Sequence, residues 1–434
     1  MKHGHTLKSV VMITCSVALF GLLCHRIQTL ENANDASNAR LKKVEETLEE
    51  VLSARSLQGP PAFSKDEDGW WVADQGMFRF PGGIVVGVRE KNCDYGNATL
   101  SVQSFESGNC PEGEGSAVFG LTNKATGEGS VVFGLRNEAT GPQSSVTGGW
   151  NNIASGRGSS VSGGYKNVSS GLRTSVSGGN ENIASNSGTS VLGGFWNVAS
   201  GYDSSICGGK WNVASHGHSS VTGGMHNKAD GFASSISGGI RNVASEDFSS
   251  VSGGNTNEAS GYASSVSGGS NNLASGESSS VSGGSENGPS GRDSSVSGGR
   301  KNKAYGNNSL VAGGYVNKAA GPTSTICGGK NNDASGQESS VSGGTRNLSN
   351  GRLSSVSGGE RNTASGLMSS VSGGVNNMAK GRYSSISGGT SNTVTGKGMG
   401  ASVSGGHKNE AIAIRSSVAG GRFQINEIPY SVVP

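Results

Sequence analysis

Residues 156–171 read GRGSSVSGGYKNVSSG, and the overlapping stretch 171–186, GLRTSVSGGNENIASN, restates the phrase. Aligned on the apolar residue, the phrase recurs at Val146, Val161, Val176, Val191, Ile206 and Val221 and continues to Val371 and Ile386. Earlier anchors at Val118 and Val132 lead to Val146 in steps of fourteen residues, and the later spacing is fifteen. Val403 and Val418 follow a two-residue insertion around Gly398–Gly400. Each unit has the form S-S-V-S-G-G-x-x-N-x-A-S-G-x-x. A unit this short holds two strands of a few residues and two tight turns, and it cannot bury a side chain alone. Stacking one unit on the next does bury them, so the period is one turn of a parallel β-solenoid with like residues in columns ~4.8 Å apart.

Composition agrees. Glycine is 75 of 434 residues, against a usual ~7%, and apolar residues are only 32%, too few for a conventional large core. Net charge is +3, which gives neither the high charge of a disordered chain nor a reason to expect nucleic acid. About twenty coils give a stack ~95 Å long.

Within a coil the Val column and the Ala column (Ala154, Ala184, Ala199, Ala214) form a thin core. Asn152, Asn167, Asn182, Asn197 and Asn212, with their equivalents to Asn409, form a buried amide column bonded along the stack. The glycine pair after each Val is expected to supply a left-handed corner, and Gly171, Gly201 and Gly231 the other, with Asn186, His216 and Glu246 as substitutes. Serines beside the Val point to the opposite face and make it flat, either exposed or packed on a copy of itself. Cys207 and Cys327 stand among them and are expected to be small buried thiols, ~38 Å apart along the stack.

Outside the repeats the chain changes character. Residues 1–26 contain an uncharged apolar run, Ser9–Cys24, flanked by Lys8 and Arg26. It reads as an uncleaved anchor with a cytoplasmic N-terminus; a cleaved signal peptide followed by secretion is the alternative. Residues 27–58 carry Ile27, Leu30, Asn34, Ser37, Leu41, Val44, Leu48 and Val51 at alternating three-and-four spacing, the seam of a coiled-coil stalk, or else one face of a solitary amphipathic helix. Residues 59–114 read as a β-rich connector in which Cys93 and Cys110 are expected to pair outside the cytoplasm. Residues 115–421 are the solenoid and 422–434 a C-terminal cap.

The stretch SAVFGLTNKATGEGSVVFGL (Ser116–Leu135) resembles the head repeat of YadA-type trimeric autotransporter adhesins, and the fifteen-residue units look like its Ser/Gly/Asn-rich relative. The resemblance implies a left-handed parallel β-roll, a homotrimer and a surface-adhesion role. This chain differs in placing its stalk before the head and in showing no membrane barrel after Val418. The transport mechanism of that family is therefore not implied.

Candidate chemistry is sparse. No G-x-S-x-G or G-x-x-x-x-G-K-[ST] occurs and no aspartate recurs in each repeat, so neither an enzyme nor a cofactor is expected. His216, His218 and His226 surround one coil and read as loop histidines rather than metal ligands. Trp150, Tyr165, Phe195, Trp196 and Trp211 occupy the two variable positions after the glycine pair. They could stack on sugars or anchor an extracellular-matrix protein, or simply cover the neighbouring glycine corner. Asn97 and Asn307 are glycosylation candidates, whereas the sequons at Asn167 and Asn347 belong to the internal column. The composite expectation is a membrane-tethered, trimeric, extracellular or lumenal adhesive protein. The alternatives are a carbohydrate- or ice-binding solenoid and, less favoured, a polysaccharide-modifying enzyme.

Overall fold

A computed structural model of the chain describes residues 63–65, 71–73, 83–86, 91–103 and 108–434. The expected membrane helix and coiled-coil stalk lie outside them. Phe63–Lys65 and Trp71–Ala73 pair antiparallel in one unit, 1–79. The second unit, 80–434, is a parallel β-solenoid of about 23 turns.

Each coil contributes two short strands. Ser160–Val161 pairs in parallel with Ser175–Val176, and Val168–Ser169 with Ile183–Ala184, so each residue faces its own equivalent one period later. A third ladder of single bridges runs through the position after the glycine pair, from Leu135 and Trp150 to Arg422. The Val-side ladder also reaches beyond the periodic residues. Ile84–Val86 pairs with Leu100–Gln103, which pairs with Ala117–Gly120, and Val432–Val433 closes on Ser417–Val418. These outer coils raise the total above the twenty that the repeats alone give.

Four columns face inward. Val and Ala are joined by Asn and by the serine two residues before each Val, so Ser159, Val161, Asn152 and Ala154 are all at most 1% exposed. The flanking Ser160 and Ser162 point the other way, as alternation requires. For the same reason Cys207 and Cys327, each following an inward Ile, are exposed rather than buried.

The asparagine column does not pair amide to amide. The Asn167 backbone N–H donates to Asn152 Oδ1 at 2.9 Å, and Asn167 Nδ2 donates to the carbonyls of Gly163 and Gly179, both at 2.9 Å. One side chain thus ties its own glycine corner to the next coil's, and the pattern repeats to Asn409.

Left-handed backbone occurs at three places per coil, for instance Gly164 (φ 87°), Lys166 (φ 52°) and Arg173 (φ 54°). Only the second glycine of each pair is left-handed. Gly171, Gly201 and Gly231 are not, and neither are Asn186, His216 and Glu246. The glycine there answers to space: a Cβ on Gly201 would lie 1.9 Å from His216 O. The second corner's left-handed residue comes two positions later, at Arg173, Asp203 and Ala233.

The Ala-side sheet is interrupted once. Pro289 takes the alanine position and has no N–H to bond the preceding coil, and the sheet divides there into twelve strands before and ten from Gly288–Pro289 onward.

Two substitutions in adjacent residues should behave oppositely. Gly178→Ala meets nothing within 4 Å and should change stability by less than ~1 kcal/mol. Gly179→Ala places a Cβ 2.2 Å from Gly194 O at φ 87° and should cost about 2–4 kcal/mol in denaturant unfolding. Asn242→Asp removes the amide donors held by Gly238 O and Gly254 O and brings charge to a fully buried site; a loss of about 3 kcal/mol or more is expected by the same measurement.

Candidate binding surface

With the interior filled, outward positions remain for recognition: the serine face, the residues beside the Ala column such as Lys228 and Glu258, and the corners. The corner after the glycine pair carries the aromatic residues singled out in the sequence. Trp150, Tyr165 and Phe195 take its first position, in the single-bridge ladder, and Trp150 N–H donates to Gly164 O at 2.9 Å. Trp196 and Trp211 take the second, left-handed position, and Trp196 N–H donates to Asn180 O one coil back at 3.0 Å. The five rings therefore form two columns rather than one patch.

Trp150 and Tyr165 lie 4.9 Å apart, tilted by 52°. Trp196 stacks on Trp211 at 5.3 Å and 4°, and Trp211 on His226 at 4.6 Å and 13°. Lys210 Nζ stands 3.9 Å from the centre of the Trp211 ring, and Trp196 Nε1–H donates to Glu181. Trp211 thus has a ring on each face, and this column presents edges to solvent.

The histidines do not converge. His226 belongs to the tryptophan stack, while His218 sits edge-on between Tyr202 and Phe232 and His216 Nδ1 accepts the Gly217 N–H at 2.9 Å. Asp230 lies close by. Its partial burial disfavours the charge, but hydrogen bonds from Lys228 and Ser215 outweigh that and hold the carboxyl below its ordinary range. Among the described residues, the one group with metal-ligand proximity is Cys93, Cys110 and Glu112, and its two thiols are joined as a disulfide with Cα atoms 5.5 Å apart. The expected pairing is therefore present, and it clips two successive coils.

Sequence reading missed a second row of rings, in the other corner, from Tyr202 to Tyr262. Its members alternate between two positions, so no single column of the alignment shows it.

Asn97 and Asn307 are exposed, while Thr99 and Ser309, which complete their sequons, are buried. Asn167 and Asn347 are at most 1% exposed. No helix among the described residues is long and apolar enough to cross a membrane. No protein-family model matches this chain, and no curated protein matches it.

Glycopeptide mass spectrometry of protein made in a secretory host should find glycan at Asn97 or Asn307 and none at Asn167 or Asn347. A glycan on either of the latter would prevent its coil from closing.

Proposed function

We propose that this chain is a membrane-tethered surface protein whose solenoid is a left-handed β-roll assembled as a homotrimer, with a structural and adhesive role. The observation that carries the reading is the flat outer face of the unbroken Val-side ladder. From Ser145 to Ser417 the residues flanking the inward Val are nearly all serine, threonine, alanine or cysteine, with Leu192 and Leu310 the bulky exceptions. A face this long and smooth suits close packing against an identical face, where small side chains let backbones approach. The apolar run Ser9–Cys24 and the heptad seam Ile27–Val51 supply an anchor and a trimer-forming stalk. The Cys93–Cys110 disulfide fits an oxidising compartment, and so supports a bulk placed outside the cytoplasm.

A glycan- or ice-binding solenoid is the second reading, favoured by the exposed corner rings rather than by the serine face. In the adhesive reading those rings are contact points for a glycan or an extracellular-matrix protein, and no nucleic acid, cofactor or enzymatic step is involved.

Light scattering of the detergent-solubilised full chain should give a mass of three chains after correction for detergent. A monomer would remove the trimeric reading.

A further inference from the structure

Five consecutive corners, residues 201–204, 216–219, 231–234, 246–249 and 261–264, read GYDS, HGHS, GFAS, EDFS and GYAS. Tyr202, Phe232 and Tyr262 stand at the second position of their corners, and His218 and Phe248 at the third. Where one position holds a ring the other holds Asp203, Gly217, Ala233, Asp247 or Ala263. The corners on either side, NSGT at 186–189 and GESS at 276–279, hold none.

This alternation has a steric basis. Coils repeat every ~4.8 Å, which holds rings in one column close to face-on, stacked for Trp196 on Trp211 and tilted by only 52° for Trp150 on Tyr165. Moving every second ring to the neighbouring position turns successive planes nearly perpendicular. Tyr202–His218, His218–Phe232, Phe232–Phe248 and Phe248–Tyr262 meet at 5.7, 5.3, 5.8 and 5.6 Å with interplanar angles of 88°, 88°, 81° and 76°. Gly217 makes room for this: a Cβ there would lie 3.3 Å from the Phe232 ring. An edge contact closes a face of only one of its two rings where a stack closes one of each, and Tyr202, Phe248 and Tyr262 are each half exposed.

The charges are one-sided. These five corners contain no Lys or Arg, while Asp203, Glu246 and Asp247 lie among the rings. Asp247 Oδ1 accepts the Phe232 N–H at 2.9 Å, which holds that carboxylate beside the rings. Rings that offer faces to C–H surfaces, beside carboxylates that accept hydroxyl hydrogens, match the chemistry of an uncharged sugar chain, and they repel polyanions. The perpendicular ring planes do not make the flat lattice that ice requires.

We infer that the row Tyr202–His218–Phe232–Phe248–Tyr262 is a binding strip for an uncharged linear polysaccharide lying along the solenoid axis. The strip needs neither an anchor nor partner copies, so it stands apart from the tethered, trimeric reading.

Native affinity electrophoresis of the full chain tests it, with gels containing soluble β-glucan, xylan or galactomannan and controls containing heparin or polylysine. At least one neutral polysaccharide should retard the chain, and Phe232→Ala with Phe248→Ala should weaken that retardation roughly tenfold or more. Tyr262→Ala at the end of the row should weaken it less, and Met368→Ala, at the same corner position as Phe248 but eight coils further on, should leave it unchanged. Thermal melting monitored by circular dichroism checks that each variant is folded. Failure of all three neutral polymers to retard the chain would overturn the inference. So would retardation by heparin or polylysine alone, undiminished binding by the folded double variant, or loss of binding in the folded Met368→Ala variant.

Discussion

The structure depends on what one asparagine does in each coil. At each corner the second glycine's carbonyl already accepts a backbone N–H, as Gly209 O does from Phe195 at 2.9 Å, whereas the first glycine's is met by the asparagine, and a buried carbonyl without a donor is costly. The asparagine amide has two hydrogens, and both are spent on glycine carbonyls, one in its own corner and one in the next coil's, as with Asn197 on Gly193 and Gly209. Its oxygen meanwhile takes the backbone N–H of the following asparagine, as Asn197 Oδ1 does from Asn212. Aspartate lacks the hydrogens, and glutamine would place them a methylene too far out. The second glycine of the pair is bound to the same arrangement. A Cβ on Gly194 would lie 2.1 Å from Gly209 O and 2.5 Å from Asn197 Nδ2, so the glycine and the asparagine require one another.

That mutual requirement explains which features could be read from the sequence. The period, the Val and Ala columns and the inward asparagine are legible because each is a strict identity at fixed spacing. The buried serine column is not, because Ser159 and Ser160 are the same letter and only strand alternation separates the inward one from the outward one. The roles of the glycines were also hidden. Gly164 is needed for its φ and Gly156 for room beside Gly171 O, and composition cannot distinguish them. The earliest coils escaped notice because Val85, Ser101 and Val118 are sixteen and seventeen residues apart, off the regular period, and the middle inward residue is a serine.

Stacking makes the fold one-dimensional: each coil touches only its neighbours, so the ends are the places where it frays. Both ends carry a fastening. Near the start, the Cys93–Cys110 disulfide spans 17 residues and joins successive coils, a closure worth about 3 kcal/mol in chain entropy. At the other end Asn426 replaces the column alanine, and its amide donates to Ser417 O at 2.8 Å and Ser431 O at 3.0 Å. The asparagine column itself ends on the backbone N–H of Gln424, which donates to Asn409 Oδ1. Between these ends Pro289 removes one bond, while Leu273 and Ser275 still donate across the junction to Asn287 O and Pro289 O and the Val-side ladder continues through Ser280–Val281 and Ser295–Val296.

A core fixed so tightly by main-chain bonding asks little of the outward side chains. The variable corner residues hold their left-handed φ whether they are Arg173, Asp203, Ala233 or Phe248, so side-chain identity there is set by something other than the fold. Each L-residue in that conformation carries a cost of roughly 1–2 kcal/mol, which glycine would avoid, and glycine does occupy the position at Gly158 and Gly188. A bulky ring such as Phe248 at such a position therefore opposes folding rather than assisting it. Of the row, His218 and Phe248 stand at that position and Tyr202, Phe232 and Tyr262 precede it; with His216 the five successive corners hold six rings while the corners on either side hold none, a clustering that the backbone does not require. The solenoid supplies the spacing, and the corners supply the chemistry.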